Sequence, residues 1–424
     1  MTTHSLSSGG SRPRSRQKKE ADKEMTNGTP RTALTPNASY FAGADVHNKT
    51  CDIALVDPEG RVARRWHLKT CPAALDLFAR ELRKECGTSP VALGLEASTA
   101  GKAVFLHLRK LGLALHMAHP RKLESIRSSE SKTDRNDAEE LARLLQSRHF
   151  PESYVPTDEM DQLRGWVRVR EEQVEKLRRV KTQVRSLLVK HHLQHDAAKY
   201  SDIFGVQALH WLKDLELPNP SDRRQLEVLL EEGALLAQQV DRLTKDLARQ
   251  AVDRKEVELL QSIPGIDYVL ALTILAEVGD VKRFPNRKKF AAYCGVVPKN
   301  RDSGGRVAMH ASVRHGNPRL KWALDIAVQA HALRIRKGRL FTMFEALKAR
   351  VGVPKALTAV AHRLAFVIYG IWKSGKSYDE GNPASFDRKR EKMKEKAKAK
   401  IEQPAIATSI GKLLSGMGAS GVAG

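Results

Sequence analysis

Apolar positions along the chain fall first into short runs, then into helical stripes. Three runs, Tyr40–His47, Cys51–Asp57 and Arg61–Leu68, are separated by Asn48-Lys49 and Pro58-Glu59-Gly60. Short apolar runs bounded by turn residues predict an antiparallel meander. From Ala73 to Cys86 the period becomes helical, with Leu75, Phe78, Ala79 and Leu82 on one face and Gly87 as the stop. Val91–Ala97 then reads as a strand, Lys102–Leu111 as a helix, Leu113–Ala118 as a strand and Asp134–Leu145 as a helix. The order β-β-β-α-β-α-β-α predicts a mixed sheet flanked by helices.

From Met160 to about His192 the stripe lengthens. Met160, Leu163, Val167, Val174, Leu177, Val184 and Leu188 recur at three- and four-residue spacing, with Arg170 and Lys181 in the seam. This predicts one long charged helix with an imperfect coiled-coil stripe. A second helix, Arg223 to about Leu259, packs back on it across a linker holding Pro218, Asn219 and Pro220. A mostly helical region runs from Ile263-Pro264-Gly265 to about Tyr378. The expected fold class is therefore α/β plus α. The expected organisation is a disordered basic tail (1–37), a sheet domain (38–150), a coiled-coil-like helical region (151–259), a C-terminal domain (260–380) and a basic, low-complexity tail (381–424).

Charge narrows the partner. The 424 residues include 73 Lys+Arg and 49 Asp+Glu, a formal net charge of +24. Residues 1–35 contribute +4 and residues 388–400 contribute +6, so +14 stays on the remainder. Such an excess points to a polyanion, DNA or RNA above all. Cys51, Cys71, Cys86 and Cys294 form no C-x-x-C pair, which argues against a zinc ribbon or a disulfide framework. The Ser/Arg-rich start lacks an apolar core, so no secretory signal is expected. The apolar stretch Ala356–Trp372 is broken by His362 and Arg363 and reads as a buried helix, not a membrane span. A cytoplasmic, nucleoid-associated protein with no membrane partner is the expectation.

Candidate chemistry begins with four acids. Asp45 lies mid-strand in Gly43-Ala44-Asp45-Val46, where an unpaired carboxylate is costly unless something binds it. Glu96 ends the fourth strand, and strand ends are where sites in α/β sheets collect. Asp134 and Asp137 open a helix as i,i+3 neighbours that can face one point. Four carboxylates at one place need a cation, and oxygen-only ligands suit Mg²⁺ or Mn²⁺. A pair of such ions can clamp a scissile phosphate. Each acid alone also has a plain use: Asp134 as a helix cap, Asp137 as a first-turn acid suiting the helix dipole, Glu96 as a surface strand end.

A second cluster lies in the C-terminal region. Ser303 sits in a basic, Gly-rich stretch with Arg301, Gly304, Gly305 and Arg306. Glycine lets a backbone approach a bulky partner, and a serine oxygen becomes a nucleophile only when activated. The residues alone favour a flexible turn. Ser262-Ile263-Pro264-Gly265-Ile266 resembles half of a helix-hairpin-helix, whose turn offers N–H groups to phosphate. An ordinary helix–helix turn fits equally well. Arg283, Arg287, Lys288 and Lys289 follow closely, and Arg314, His315, Arg319 and Lys321 surround Gly316-Asn317. His191, His192 and His195 end a charged helix with no acid near them in sequence, which predicts a solvated helix end.

In these two clusters the sequence resembles the bridge-RNA-guided DEDD insertion-sequence transposases (the "IS one-ten" family). The matching stretches are Gly43-Ala44-Asp45, Glu96, Lys132-Thr133-Asp134-Arg135-Asn136-Asp137-Ala138, Ile263-Pro264-Gly265, Tyr293-Cys294-Gly295 through Pro298, Ser303-Gly304 and Gly316-Asn317. They stand in the family's order between about Tyr40 and Tyr378. Asp267 departs from the pattern, where the family commonly has a second glycine. The resemblance implies an RNase H/RuvC-like N-terminal domain and a C-terminal serine transposase domain. It implies that Asp45, Glu96, Asp134 and Asp137 hold Mg²⁺ or Mn²⁺, and that Ser303 attacks DNA to form a phosphoserine link. Lys132, Arg135, Gly265, Arg287, Lys288, Lys289, Arg301, Gly304, Arg306, Arg314, Asn317 and Arg319 are the candidate nucleic-acid contacts. Implied partners are donor and target DNA, a non-coding bridge RNA, and further copies of the chain, a homodimer assembling to a tetramer. Alternative readings are a site-specific DNA invertase of the same fold, a RuvC-like junction-resolving nuclease using the acids alone, and a catalytically inactive nucleic-acid-binding protein.

Overall fold

The computed structural model describes residues 37–124, 126, 134–297, 316–379 and 383–400. They belong to two compact units, Met1–Val155 and Pro156–Gly424.

In the first unit β1 (Tyr40–Val46), β2 (Thr50–Val56), β3 (Val62–Lys69), β4 (Val91–Glu96) and β5 (Ala114–Ala118) form one sheet in the order β3-β2-β1-β4-β5. β1 pairs antiparallel with β2 and parallel with β4; β2–β3 is antiparallel and β4–β5 parallel. The predicted meander and mixed sheet are both present. Alternation along the strands divides the side chains between two faces. Ala42, Ala44, Ile53, Leu55, Leu93 and Leu95 point to one face. There they pack on Leu75, Phe78 and Leu82 of α1 (Pro72–Cys86) and on Val104, Phe105 and Leu108 of α2 (Thr99–Lys110).

The other face carries a short helix α3 (Pro120–Glu124) and α4 (Asp134–Gln146), whose Leu141 and Leu145 are fully buried with Phe150 and Leu123. Two glycines, Gly43 of β1 and Gly94 of β4, stand side by side in register beneath them. A Cβ at Gly43 would come within 2.0 Å of Ala138 O, and one at Gly94 within 2.6 Å of the Phe150 ring. Backbone therefore meets backbone where α4 crosses β1. The last turn of α4 reaches the β2–β3 turn through Gln146 Nε2, 3.2 Å from the carbonyls of Asp57 and Pro58. Since Phe41 pairs with Val56, that turn lies at the amino end of β1. The first turn of α4 accordingly lies at the carboxyl ends of β1 and β4.

The second unit is helical. α5 (Asp158–Lys190) starts at Thr157, whose hydroxyl accepts from Met160 N, and its first turn holds Asp158, Glu159 and Asp161, as the helix dipole favours. α6 (Gln194–Ala197) and α7 (Val206–Asp214) occupy the connection to α8 (Pro220–Ala251). The far half of α5 (Val180, Val184, Leu188) meets the near half of α8 (Leu226, Leu229), so the pair is antiparallel. Arg170 does lie in the seam, donating to Thr244 Oγ1 at 2.8 Å. Val174, expected in the stripe, is exposed. The expected single helix to Leu259 is two helices: α8 ends at Ala251 and α9 (Lys255–Gln261) restarts with Arg254 as its N-cap position.

His191 corrects another expectation. It does not end a helix in solvent. Its Nε2 lies 2.9 Å from Asp222 Oδ2, and Lys190 Nζ binds the same buried carboxylate at 2.7 Å. The acid comes from α8, 31 residues away in sequence, so sequence proximity could not reveal it.

α10 (Tyr268–Val278) is apolar on every side, buried from Leu270 to Val278, and sits at the centre of the core. Around it stand α11 (Arg287–Tyr293), α12 (Pro318–Ala330), a π-turn (His331–Ile335), α13 (Gly338–Val351) and α14 (Val353–Ser374). α14 covers the Ala356–Trp372 stretch and buries Val360, Ala361, Leu364 and Ile368, as a core helix should. No helix among the described residues is long and apolar enough to cross a membrane. The same core takes in Leu163, Val167 and Leu247, so the long helix pair and the C-terminal helices share one unit without a boundary at 259/260. The expected tail also differs: Pro383–Lys398 is a helix, α15, with Met393 buried against that core.

Candidate active site

Strand parity places the acids. Gly43 faces α4, so Asp45, two residues on, does too. Gly94 faces α4, so Glu96 does too, one position past the Ala44–Leu95 pair and at the carboxyl end of β4. Asp137 is in the first turn of α4, directly before the Ala138 carbonyl that abuts Gly43. Asp134 is the first residue of the same helix; its side chain and that of Arg135 lie outside the described residues. The fold thus carries Asp45, Glu96 and the helix turn bearing Asp134 and Asp137 to one end of one sheet face.

The structure adds two residues that sequence reasoning missed. Asp52 is the cross-strand partner of Asp45, and His67 is the partner of Asp52. All face α4, so β3, β2, β1 and β4 present His67, Asp52, Asp45 and Glu96 as one row. His67 Nδ1 lies 2.9 Å from Asp52 Oδ1, and Asp52 is only 7% exposed. His47 Nε2 lies 3.1 Å from Asp45 Oδ2. Opposed carboxylates on neighbouring strands repel, and an imidazole beside each tempers that. Burial, then Asp52 and Asp45, push the neighbouring Cys51 thiol up to about 12, so it stays protonated and inert. The signal that marked Asp45, an acid inside an apolar strand, was equally present at Asp52 in Cys51-Asp52-Ile53.

Asp45, Glu96, Asp134 and Asp137 offer only oxygen donors, a set that suits a hard divalent cation. Among the described residues no three His, Cys, Asp or Glu side chains are already gathered as an ion cage.

In the second unit Arg301, Ser303, Gly304, Arg306 and Arg314 lie outside the described residues, as does Lys132 in the first. The two ends of the 298–315 segment are clasped. Asn317 N donates to Tyr293 O at 2.8 Å, and a Cβ at Gly316 would come within 2.4 Å of Gly295 Cα. Asn317 caps α12, accepting from Arg319 N and Leu320 N. Its Nδ2 donates to Glu277 Oε2 at 2.7 Å, and Arg168 donates to Glu277 Oε1 at 2.8 Å. Burial alone would raise the Glu277 carboxyl, but hydrogen bonds from Arg168 and Asn317 hold it below the usual range. Glu277 is the one charge in an otherwise apolar helix, which was legible in the sequence and passed over.

The other candidate contacts are dispersed. Gly265, at φ 85°, packs against α12, where a Cβ would meet Ala327 O at 2.9 Å. Arg319 pairs with Glu171 at 2.9 Å. The Arg287 guanidinium lies 4.9 Å over the Phe366 ring, Lys288 is exposed, and Lys289 is half-buried beside it in the first turn of α11. Asp267, the departure from the family pattern, caps α10 by accepting from Leu270 N at 2.8 Å.

Comparison with known proteins follows the same division. The DEDD transposase model of the IS110 type matches residues 42–193, and the model described as "Transposase IS116/IS110/IS902 family" matches residues 257–341. Over both segments the chain is similar to transposases of the IS116/IS110/IS902 family. The first match spans Asp45, Glu96, Asp134 and Asp137; the second spans Gly265, Ser303 and Asn317. Among its relatives, the Sinorhizobium fredii protein y4qE is 26% identical over 59% of this chain and 61% of its own length. The transposase for insertion sequence element IS1533 of Leptospira borgpetersenii is 27% identical over 58% of this chain and 71% of its own. The transposase for IS1111A of Coxiella burnetii is 23% identical over 63% of this chain and 74% of its own. The chain thus spans under two thirds of the first of these and somewhat more of the other two.

Proposed function

We propose that this chain is the DNA transposase of an insertion sequence, cutting and rejoining strands through Ser303 with help from the acidic face of the sheet. The observation that carries the reading is the arrival of Asp45, Glu96 and the Asp134–Asp137 turn at one end of β1 and β4. Those four carboxylates would hold Mg²⁺ or Mn²⁺, which supplies charge neutralisation at a scissile phosphate. Ser303 Oγ gives up its proton and bonds to phosphorus as the P–O bond of the strand breaks, and the departing sugar hydroxyl is protonated. The hydroxyl of a new strand then displaces the serine, which regains its proton, so the phosphate ester survives the exchange without an external energy source. The basic surplus suits donor and target DNA together with a bridge RNA, and oligomers formed by the long helices suit a synapse.

The test traps the ester. Wild-type protein with its RNA and DNA should yield a covalent, protease-sensitive protein–DNA adduct. Ser303→Ala and Asp45→Asn should each yield none, while both still bind DNA. Strand joining by Ser303→Ala would sink the serine, and cleavage to free ends without an adduct would replace this reading by the nuclease.

A further inference from the structure

The turn between α9 and α10 aims three backbone carbonyls at one point, and a lysine from α15 fills it. Lys389 Nζ donates to Gln261 O at 2.9 Å, Ile263 O at 3.0 Å and Ile266 O at 2.9 Å. An ammonium has three donors, so one re-entrant turn satisfies all of them. Ile263 and Ile266 are fully buried, and Lys389 itself is half-buried. Burial draws the Lys389 ammonium down to about 8, and no carboxylate is among its hydrogen-bond partners. Beside the same turn the Gln261 side chain is fully buried with neither its oxygen nor its nitrogen hydrogen-bonded. Convergent carbonyl dipoles are how proteins hold monovalent cations, and the Asp267 carboxylate beside the turn adds a countercharge without hydrogen-bonding the ammonium. An ammonium is close to K⁺ in size and charge.

We propose that the Gln261–Ile266 turn is a monovalent-cation site, of the K⁺ or Na⁺ class, which this chain fills with its own Lys389. The simpler use of such a lysine is to cap the end of α9. Only Gln261 belongs to α9, however; Ile263 lies in the turn and Ile266 immediately precedes the cap of α10. α15 delivers the charge and is fastened for that purpose. Arg390 pairs with Glu258 at 3.3 Å, Arg249 donates to Ala397 O at 3.0 Å and to Ala399 O at 2.8 Å, and Lys396 pairs with Asp241. Tyr378 N, from the chain leading to α15, donates to Ser262 Oγ in the same turn at 2.9 Å.

The experiment compares melting of the full chain in KCl, NaCl and tetramethylammonium chloride at equal ionic strength, the last ion being too large for the cradle. Wild type should melt alike in all three. Lys389→Ala should melt lower in tetramethylammonium and regain about 3–6 °C in K⁺ or Na⁺, saturably with concentration, as binding to the native state requires. If Lys389→Ala does not fold in tetramethylammonium, K⁺ should restore its circular dichroism. If it folds in no salt, Lys389→Met keeps the buried stem and should show the same K⁺ rescue. Variants that lose stability equally in every salt, or lose none, overturn the proposal and leave Lys389 as an ordinary helix cap.

Discussion

Replacing Gly43 by alanine puts one methyl group between β1 and α4. Its Cβ would lie 2.0 Å from Ala138 O, 2.6 Å from Ala142 N and 2.7 Å from Leu141 Cβ. Two of those three are backbone atoms, so no rotamer change relieves the clash. Comfortable contact is about 3.5–4 Å, so α4 must retreat by more than about 1 Å. The retreat would loosen Leu141 and Leu145, both fully buried against the sheet. Overpacking of this kind costs about 1–3 kcal/mol, and a backbone clash belongs at the upper end. For a unit of this size, about 3 kcal/mol lowers Tm by about 6–12 °C. Calorimetry of the full chain would read this as an earlier transition of the Met1–Val155 unit. The control is Gly165→Ala in α5, where a Cβ meets nothing within 4 Å and the helix should gain about 0.5–1 kcal/mol. If Gly43→Ala melts with or above the wild type, α4 does not rest on β1 as described. DNA cleavage offers a second reading of the same variant. It should fall further than DNA binding, because the turn bearing Asp134 and Asp137 moves away from Asp45.

Glu277→Ala leaves Asn317 and the half-exposed Arg168 without their buried acceptor and should cost about 1–3 kcal/mol, measured by urea unfolding; no loss of stability would contradict the network. Because the folded Glu277 carboxyl is held below its unfolded value of 4.5, its contribution is complete above that pH and fades as pH falls through the lower folded value. Glu277→Gln should therefore flatten the acid limb of the stability curve, and an unchanged limb would assign it to other groups. Affinity for DNA should drop by about 10³–10⁵ between 50 and 200 mM salt if about 6–10 phosphates are contacted. A flat response in a filter-binding titration would count against the +24 charge as the source of binding.

The sheet was legible because its strands are short, apolar and punctuated, and the first acids were legible because each interrupts such a run. Asp52 met the same criterion, but its meaning depends on the register that sets it against Asp45, and register is a pairing between segments. His191 shows the same limit, its acid arriving from α8. The break after Ala251 carries no glycine or proline, so pattern alone ran α8 into α9. Pro383–Lys398 looked like a solvated charge run because its apolar content is low. Its docking rests on Met393, on lysine and arginine hydrogen bonds to main-chain carbonyls, and on carboxylates of other helices. Those acceptors are invisible in composition.

The clasp at Gly295 and Gly316 brings two points distant in sequence into backbone contact. Asn317 N on Tyr293 O, with Glu277 accepting from the Asn317 side chain, holds Gly316 against Gly295. The entropy of closing a chain segment grows only with the logarithm of its length, about 0.6 kcal/mol per doubling. Holding Gly295 and Gly316 together costs the folded chain that closure entropy, and the buried Asn317–Glu277 hydrogen bond helps to offset it. A charge buried in an apolar helix thus serves as the latch of a long chain closure, and removing it releases two distant points of the sequence at once.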